Sequence, residues 1–185
     1  MAKKIYRIIS WSLLVLTILS ILLMLRKPSL SPIVTSPEAA KSFDEKIAQL
    51  EQPRQPGGSE EVRITESELN SKLQESMQGP SAAGPATLES ASIHLEDDRL
   101  IGVFTVKVSG KDLYLTVGGT LGAVDGQVRF TPTEMKLGSL PVPLSAVEST
   151  LKEKLDSPEM REHLKLPESV KDVRIDNGEL VLVPK

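Results

Sequence analysis

Apolar and polar positions along this chain fall into three regimes. From Ile8 to Leu25 every residue is uncharged, and most are Leu or Ile. A helix rising about 1.5 Å per residue over that run and its flanks matches a hydrocarbon core of roughly 30 Å. Tyr6 and Trp11 stand near its start, where amphipathic rings favour a membrane interface. The pattern predicts one transmembrane helix over about 8–25. A cleaved signal peptide fits less well, because the apolar run is too long and "RKPSLSP" follows it instead of a small-x-small site. Lys3, Lys4 and Arg7 precede the run, whereas only Arg26 and Lys27 follow it. That bias predicts a cytoplasmic N-terminus, with residues 28–185 extracytoplasmic, whether periplasmic or extracellular.

The second regime, 28–59, is rich in Pro, Ser and Gly, which predicts an extended linker. Within it, Ser36 can cap a helix and Pro37 suits the first helical position. Ala40, Phe43, Ile47 and Leu50 then recur at helical spacing, predicting an amphipathic helix over 37–51. The breaking stretches "KPSLSP" and "PRQPGGSE" flank this helix. A stalk, a partner-binding helix, a lid and a helix packed on the domain surface remain alternatives for it. Phe43, Ile47 and Leu50 are the partner-binding face in the second of these.

The third regime, 60–185, reads as an α+β domain. "VRI" is a short strand, and Thr65 with Glu68 forms a capping-box pattern that opens a helix. Leu69, Leu73 and Met77 give that helix one narrow apolar face. Alternation then predicts an antiparallel meander over 87–140. Leu100, Phe104 and Val106 share one side of a strand, as do Leu113, Leu115 and Val117 in the next, and Val128 and Phe130 in a third. Gly102, Gly118 and Gly119 fall inside strands, where they mark bends and bulges, so the sheet is expected to curve. Pro141 and Pro143 end it; Ser145 and Ser157 then cap two short helices, and Asn177-Gly178 turns a final hairpin. The fold class predicted is α+β: a single N-terminal transmembrane helix (1–27, with the cytoplasmic N-terminus), the linker, and a curved antiparallel sheet packed on helices.

Composition narrows the function. Beyond residue 27 the chain holds 17 Lys+Arg and 25 Asp+Glu, a poor footprint for nucleic acid. There are no cysteines, so disulfides, thiolate catalysis and zinc–sulfur sites are excluded. Neither histidine has a second ligand nearby: His94 is expected to be solvated on a strand and His163 on a polar helix. Asp97-Asp98 and Asp176-Asn177 read as turn residues and not as calcium ligands. Gly118-Gly119 lacks the Lys and following helix of a phosphate loop. No nucleophile stands with a base. The expectation is a protein with no enzyme activity, no metal and no cofactor.

What remains is aliphatic. If helices and sheet close incompletely, Leu69, Leu73, Met77, Leu100, Phe104, Val106, Leu113, Leu115, Val117, Val128 and Phe130 line an apolar groove. Each methylene buried there contributes about 0.8 kcal/mol, enough to hold a lipid tail without specific polar contacts. Simple core formation explains the same residues.

The basic N-terminus and apolar run, "ITESELNSKL", the glycine-bearing meander ending in "LGSLPVPLSAVESTL", and "LPESVKDVRIDNGELVLV" together resemble YpmS-like and LmeA-like bacterial membrane-anchored domains, grouped with TULIP-type (tubular lipid-binding) folds. The resemblance covers about 60–185. It implies a curved sheet around a long helix, with an apolar tube that takes envelope lipids; here the helix after Thr65 is short. Two functions are therefore expected. The first is a membrane-anchored, non-enzymatic envelope protein that binds a lipid or other amphipath. The alternative is a scaffold subunit of a membrane complex that contacts partners through helix 37–51 and the span.

Overall fold

The structure, a computed structural model, describes residues 2–51, 61–77, 86–155 and 157–185. The breaking stretch expected at 53–60 lies outside the described residues, as does the side chain of His163. Five α-helices and eight strands are described.

Helix α1 (Ala2–Met24) leads directly to a correction. Among the described residues, no helix is long and apolar enough to cross a membrane. The part of α1 whose side chains are described begins at Trp11. The single-pass span expected over 8–25 is thus overturned, and the signal-anchor and cell-membrane placement fall with it. Trp11, Leu16 and Leu22 are each at least 60% exposed. The far end of α1 is tied to the domain: Ser139 donates its backbone N–H to the Leu23 carbonyl at 2.8 Å.

Helix α2 (Pro37–Glu51) starts as its sequence dictates, with Ser36 Oγ accepting from the Ala39 N–H. Its apolar stripe faces inward. Ala40 and Leu50 are buried, and Phe43 and Ile47 pack against the same core. The helix is docked on the domain, so Phe43, Ile47 and Leu50 are not an open partner face. Strand β1 (Val62–Thr65) buries Val62 and Ile64 by alternation. Thr65 then caps α3 (Glu66–Ser76) with a complete capping box, as its sequence predicts.

The meander forms with β2 (Ala86–Glu96), β3 (Arg99–Val108), β4 (Lys111–Val124) and β5 (Gln127–Leu137), each antiparallel to the next. Register puts Leu95 opposite Leu100, Phe104 opposite Leu115, Val106 opposite Leu113, and Leu121 opposite Phe130, so one face is aliphatic. The ladder shifts between Leu88 and Ser90 and between Gly118 and Gly119. Such irregularities increase twist and bend the bulged strand, and the sheet is curved. Strand β6 (Leu140–Pro141) pairs only with Lys136 and Leu137. Pro141 does fall in a strand, contrary to expectation, but at the sheet edge where a missing N–H is tolerated.

A 3-10 turn (Leu144–Ala146), rather than a cap at Ser145, precedes α4 (Glu148–Leu155). Ser157 caps α5 (Pro158–His163) by accepting from the Met160 N–H. The chain closes with β7 (Val170–Asp176) and β8 (Glu179–Pro184), joined through Asn177 and Gly178 at φ 53° and 73°, the positive angles a tight two-residue turn requires. Strand β8 also pairs with β1, giving a second sheet in the order β1-β8-β7. Its core, Val62, Ile64, Val173 and Leu182 with Leu50 and Leu166, takes Ala123 and Val128 of the curved sheet against it. The molecule is α+β, with a curved antiparallel sheet packed on helices.

Candidate functional site

A cleft lies along the outer edge of β5. Strand β6 covers only the last residues of β5, so its earlier part has no strand beside it. The segment after α5 fills part of that gap. Val128 donates its N–H to the Leu164 carbonyl at 2.8 Å, and Leu166 donates to the Gly126 carbonyl at 2.9 Å. This short bridge closes one end of the cleft and holds α5 against the strand. Backbone polar groups of a strand alternate sides, so the position of Pro132, four residues after Val128, also faces away from β4. A proline is tolerated there because its absent N–H is not needed by the ladder.

The cleft, open to solvent on one side, has a volume of about 820 Å³, within the range of roughly 300–1,000 Å³ typical of small-molecule sites. Its lining is divided. Val128, Phe130, Pro132, Leu144, Leu155 and Leu164 are half-buried and form the apolar part. Arg129, Lys152 and Arg161, with Asp125 and Glu148, are exposed and form a charged margin. Phe130 leans over Gly119, the residue two before its cross-strand partner Leu121: a Cβ at Gly119 would lie 2.7 Å from the Phe130 ring. The glycine lets the ring lie flat on the neighbouring strand.

The sequence-predicted groove residues are divided by the fold. Val128 and Phe130 line the cleft. Leu69 packs on the buried core. Leu73 and Met77 are half-buried on and just after α3. Leu100, Phe104, Val106, Leu113, Leu115 and Val117 share the aliphatic face of the sheet in register, half-buried, and do not line the cleft. Of the fourteen described lining residues, the other twelve escaped the groove expectation, among them Pro132, Leu144, Leu155 and Leu164. Leu155 lies on the face of α4 that helical spacing marks as inner. Nothing local signals that Leu164–Leu166 would bridge to β5, because that pairing is long-range.

A separate polar cluster fastens α2 to α3. Glu68, 7% exposed, accepts from Ser42 Oγ at 2.5 Å, Lys46 Nζ at 2.7 Å and the Thr65 N–H at 2.8 Å. Burial pushes its carboxyl up, but the hydrogen bonds from Lys46, Ser42 and Thr65 outweigh this and hold it at about 2. His94, expected to be solvated, is buried, with Nδ1 3.5 Å from Glu66 Oε1. Asn70 satisfies the edge of β2 beside it, giving to the Ile93 carbonyl and accepting from its N–H. These groups are consumed by internal contacts, which gives them a structural role. Among the described residues, no three His, Asp or Glu side chains converge as metal ligands would.

No family model, curated protein or solved structure matches the chain.

Proposed function

We propose that this protein is a non-enzymatic binding module that holds an amphipathic ligand in the cleft beside β5. The observation that carries the reading is the division of the lining: six half-buried apolar side chains within, and exposed charges at the margin. Burying an acyl chain against the apolar part gains about 0.8 kcal/mol per methylene, while the polar end stays at the water-facing margin. The YpmS-like and LmeA-like resemblance of 60–185, with its implied apolar tube for lipids, supports the same reading.

The test is direct. The full chain is incubated with a long-chain fluorescent fatty-acid analogue, and binding is followed by emission change and by native mass spectrometry. Saturable one-to-one binding, weakened about tenfold by Leu155→Ser with unchanged circular dichroism, is the expected result. Absence of binding across acyl chains of eight to eighteen carbons, on the order of the tail length such a volume admits, would remove the proposal.

A further inference from the structure

We infer that the ligand is an N-acyl peptide, whose extended amides join the tail to the polar end and pair as a short added strand along the free edge of β5. This rests on the proposed amphipath binding and adds the chemistry of the linkage. All six residues from Gln127 to Pro132 line the cleft. Side chains of a strand alternate between its faces, so a cavity over one face meets every second residue. A cavity that meets six in succession lies at the edge, against the main chain.

That edge is bracketed at both ends by pairing within the chain. Val128 donates its N–H to the Leu164 carbonyl at one end, and Val142 donates its N–H to the Met135 carbonyl at 2.9 Å at the other. The segment after α5 shows that the edge accepts an extended antiparallel neighbour, because Lys165 stands opposite Gln127. The pairing stops there: Leu164 gives its own N–H to the Met160 carbonyl of α5. Register against β4 runs unbroken from Val128 to Pro132, so Phe130 and Pro132 turn their backbone groups outward as Val128 does. Among the described residues, none donates to or accepts from the outward groups of Phe130 and Pro132. They offer one donor, the Phe130 N–H, and two acceptors, the carbonyls of Phe130 and Pro132. One extended ligand residue opposite Phe130 exchanges both of its bonds, as in a hydrogen-bonded antiparallel pair. A second ligand N–H, two residues away, meets the Pro132 carbonyl. Main-chain pairing of this kind holds extended peptides at open sheet edges. An ester or a free carboxylate brings acceptors without the N–H groups that the two carbonyls take. Leu144 and Leu155, which line the same cleft from the 3-10 turn and α4, receive the acyl chain.

The experiment compares uncharged probes on the full chain by displacement of a fluorescent fatty-acid analogue. Three share one acyl length: an N-acyl trialanine amide, the same compound methylated at its three alanine nitrogens, and a monoacylglycerol. The fourth is acetyl-trialanine amide, which has no tail. The N-acyl trialanine amide should bind at least about tenfold tighter than each of the others, the worth of one or two hydrogen bonds. Amide hydrogen exchange at Phe130 should slow by at least about tenfold when that probe is bound, and should not respond to the monoacylglycerol. Phe130→Ala and Phe130→Pro both lack the ring, but only the second lacks the donor; the preference should survive in the first and vanish in the second. The exchange measurement uses the parent chain and stands whether or not Phe130→Pro folds. Equal affinities for the three acylated probes, unchanged Phe130 exchange, or a preference that persists in Phe130→Pro overturn the amide inference while leaving amphipath binding intact. Acetyl-trialanine amide binding as tightly as the acylated peptide overturns it too, because the tail would then contribute nothing. Failure of every probe overturns both readings together.

Discussion

Glu68 on α3 and Lys46 on α2 form an ion pair at 2.7 Å with the carboxylate side chain only 9% exposed, and this pair joins two helices that are not consecutive elements of the chain. Lys46 also donates to the Arg63 carbonyl at 2.7 Å, so one ammonium ties α2 to β1 as well. The pairing has a pH signature. The Glu68 carboxyl is held at about 2 in the fold and returns to an ordinary carboxylate value on unfolding. A depressed folded value means the stabilisation is present above the unfolded value and lost as pH falls from about 4.5 towards 2. Its size is on the order of 3 kcal/mol by that linkage. Denaturant unfolding of the parent and Glu68→Gln across pH 6 to 2.5 should show the difference between them narrowing over this window. A constant difference would mean that Glu68 is not held as the ion pair describes.

Leu50 is 1% exposed at the end of α2 and belongs to the core with Val62, Ile64 and Leu182. Leu50→Ala should therefore destabilise the chain by about 2–5 kcal/mol, the range for truncating a well-packed aliphatic side chain. Lys41→Ala, on the exposed side of the same helix, should change stability by less than about 0.5 kcal/mol. Thermal melts of both variants check the claim that α2 is part of the fold. Comparable melts for the two would return α2 to the status of a loosely attached helix.

The contrast shows what the sequence made legible. Periodicity located the α2 stripe, the capping box at Thr65 and Glu68, the meander and the Asn177-Gly178 turn, because each is written in neighbouring residues. It could not say what the α2 stripe faces, since a helix docked on its own domain and one offered to a partner carry the same pattern. Only Val128 and Phe130 of the expected groove line the cleft, because cleft walls come from β5, α4 and α5, and their association depends on the Val128–Leu164 contact. The apolar run at 8–25 pointed to a membrane span, yet among the described residues no helix is long and apolar enough for one. His94 misled for a related reason: alternation places it opposite Ile93 and Leu95, but a sheet with buried residues on both faces does not expose the second set.

Gly119 and Gly122 lie three residues apart on β4 and should respond in opposite ways to alanine. A Cβ at Gly119 would meet the Thr131 carbonyl oxygen and the Phe130 ring, whereas at Gly122 nothing lies within 4 Å. Gly119→Ala should cost about 1–3 kcal/mol, as overpacking does, and by displacing Phe130 should also weaken binding of a fluorescent fatty-acid analogue. Gly122→Ala should be neutral or stabilising by up to about 1 kcal/mol, through reduced freedom of the unfolded chain. Equilibrium unfolding and probe titration of the two variants separate these outcomes; equal costs would disprove the placement of Phe130 over Gly119.

Gly138 joins the end of α1 to the sheet. Its φ of 61° lies in the left-handed region, and a Cβ there would collide with the carbonyl oxygens of Leu23 and Met24. The next residue, Ser139, gives its N–H to the Leu23 carbonyl at 2.8 Å, a shorter bond than the 3.3 Å one that carbonyl accepts from Arg26 at the helix end. Gly138→Ala should therefore do two things: strain the backbone by about 1–2 kcal/mol, and push α1 off the turn. Gly110, at φ 79° with nothing within 4 Å, separates the effects, because Gly110→Ala brings strain without a collision. Both variants should lose comparable stability from strain. Only Gly138→Ala should speed amide hydrogen exchange at Ser139, by at least about tenfold, as its hydrogen bond to Leu23 is released. Unchanged Ser139 exchange in Gly138→Ala would show that α1 does not rest on this turn in solution.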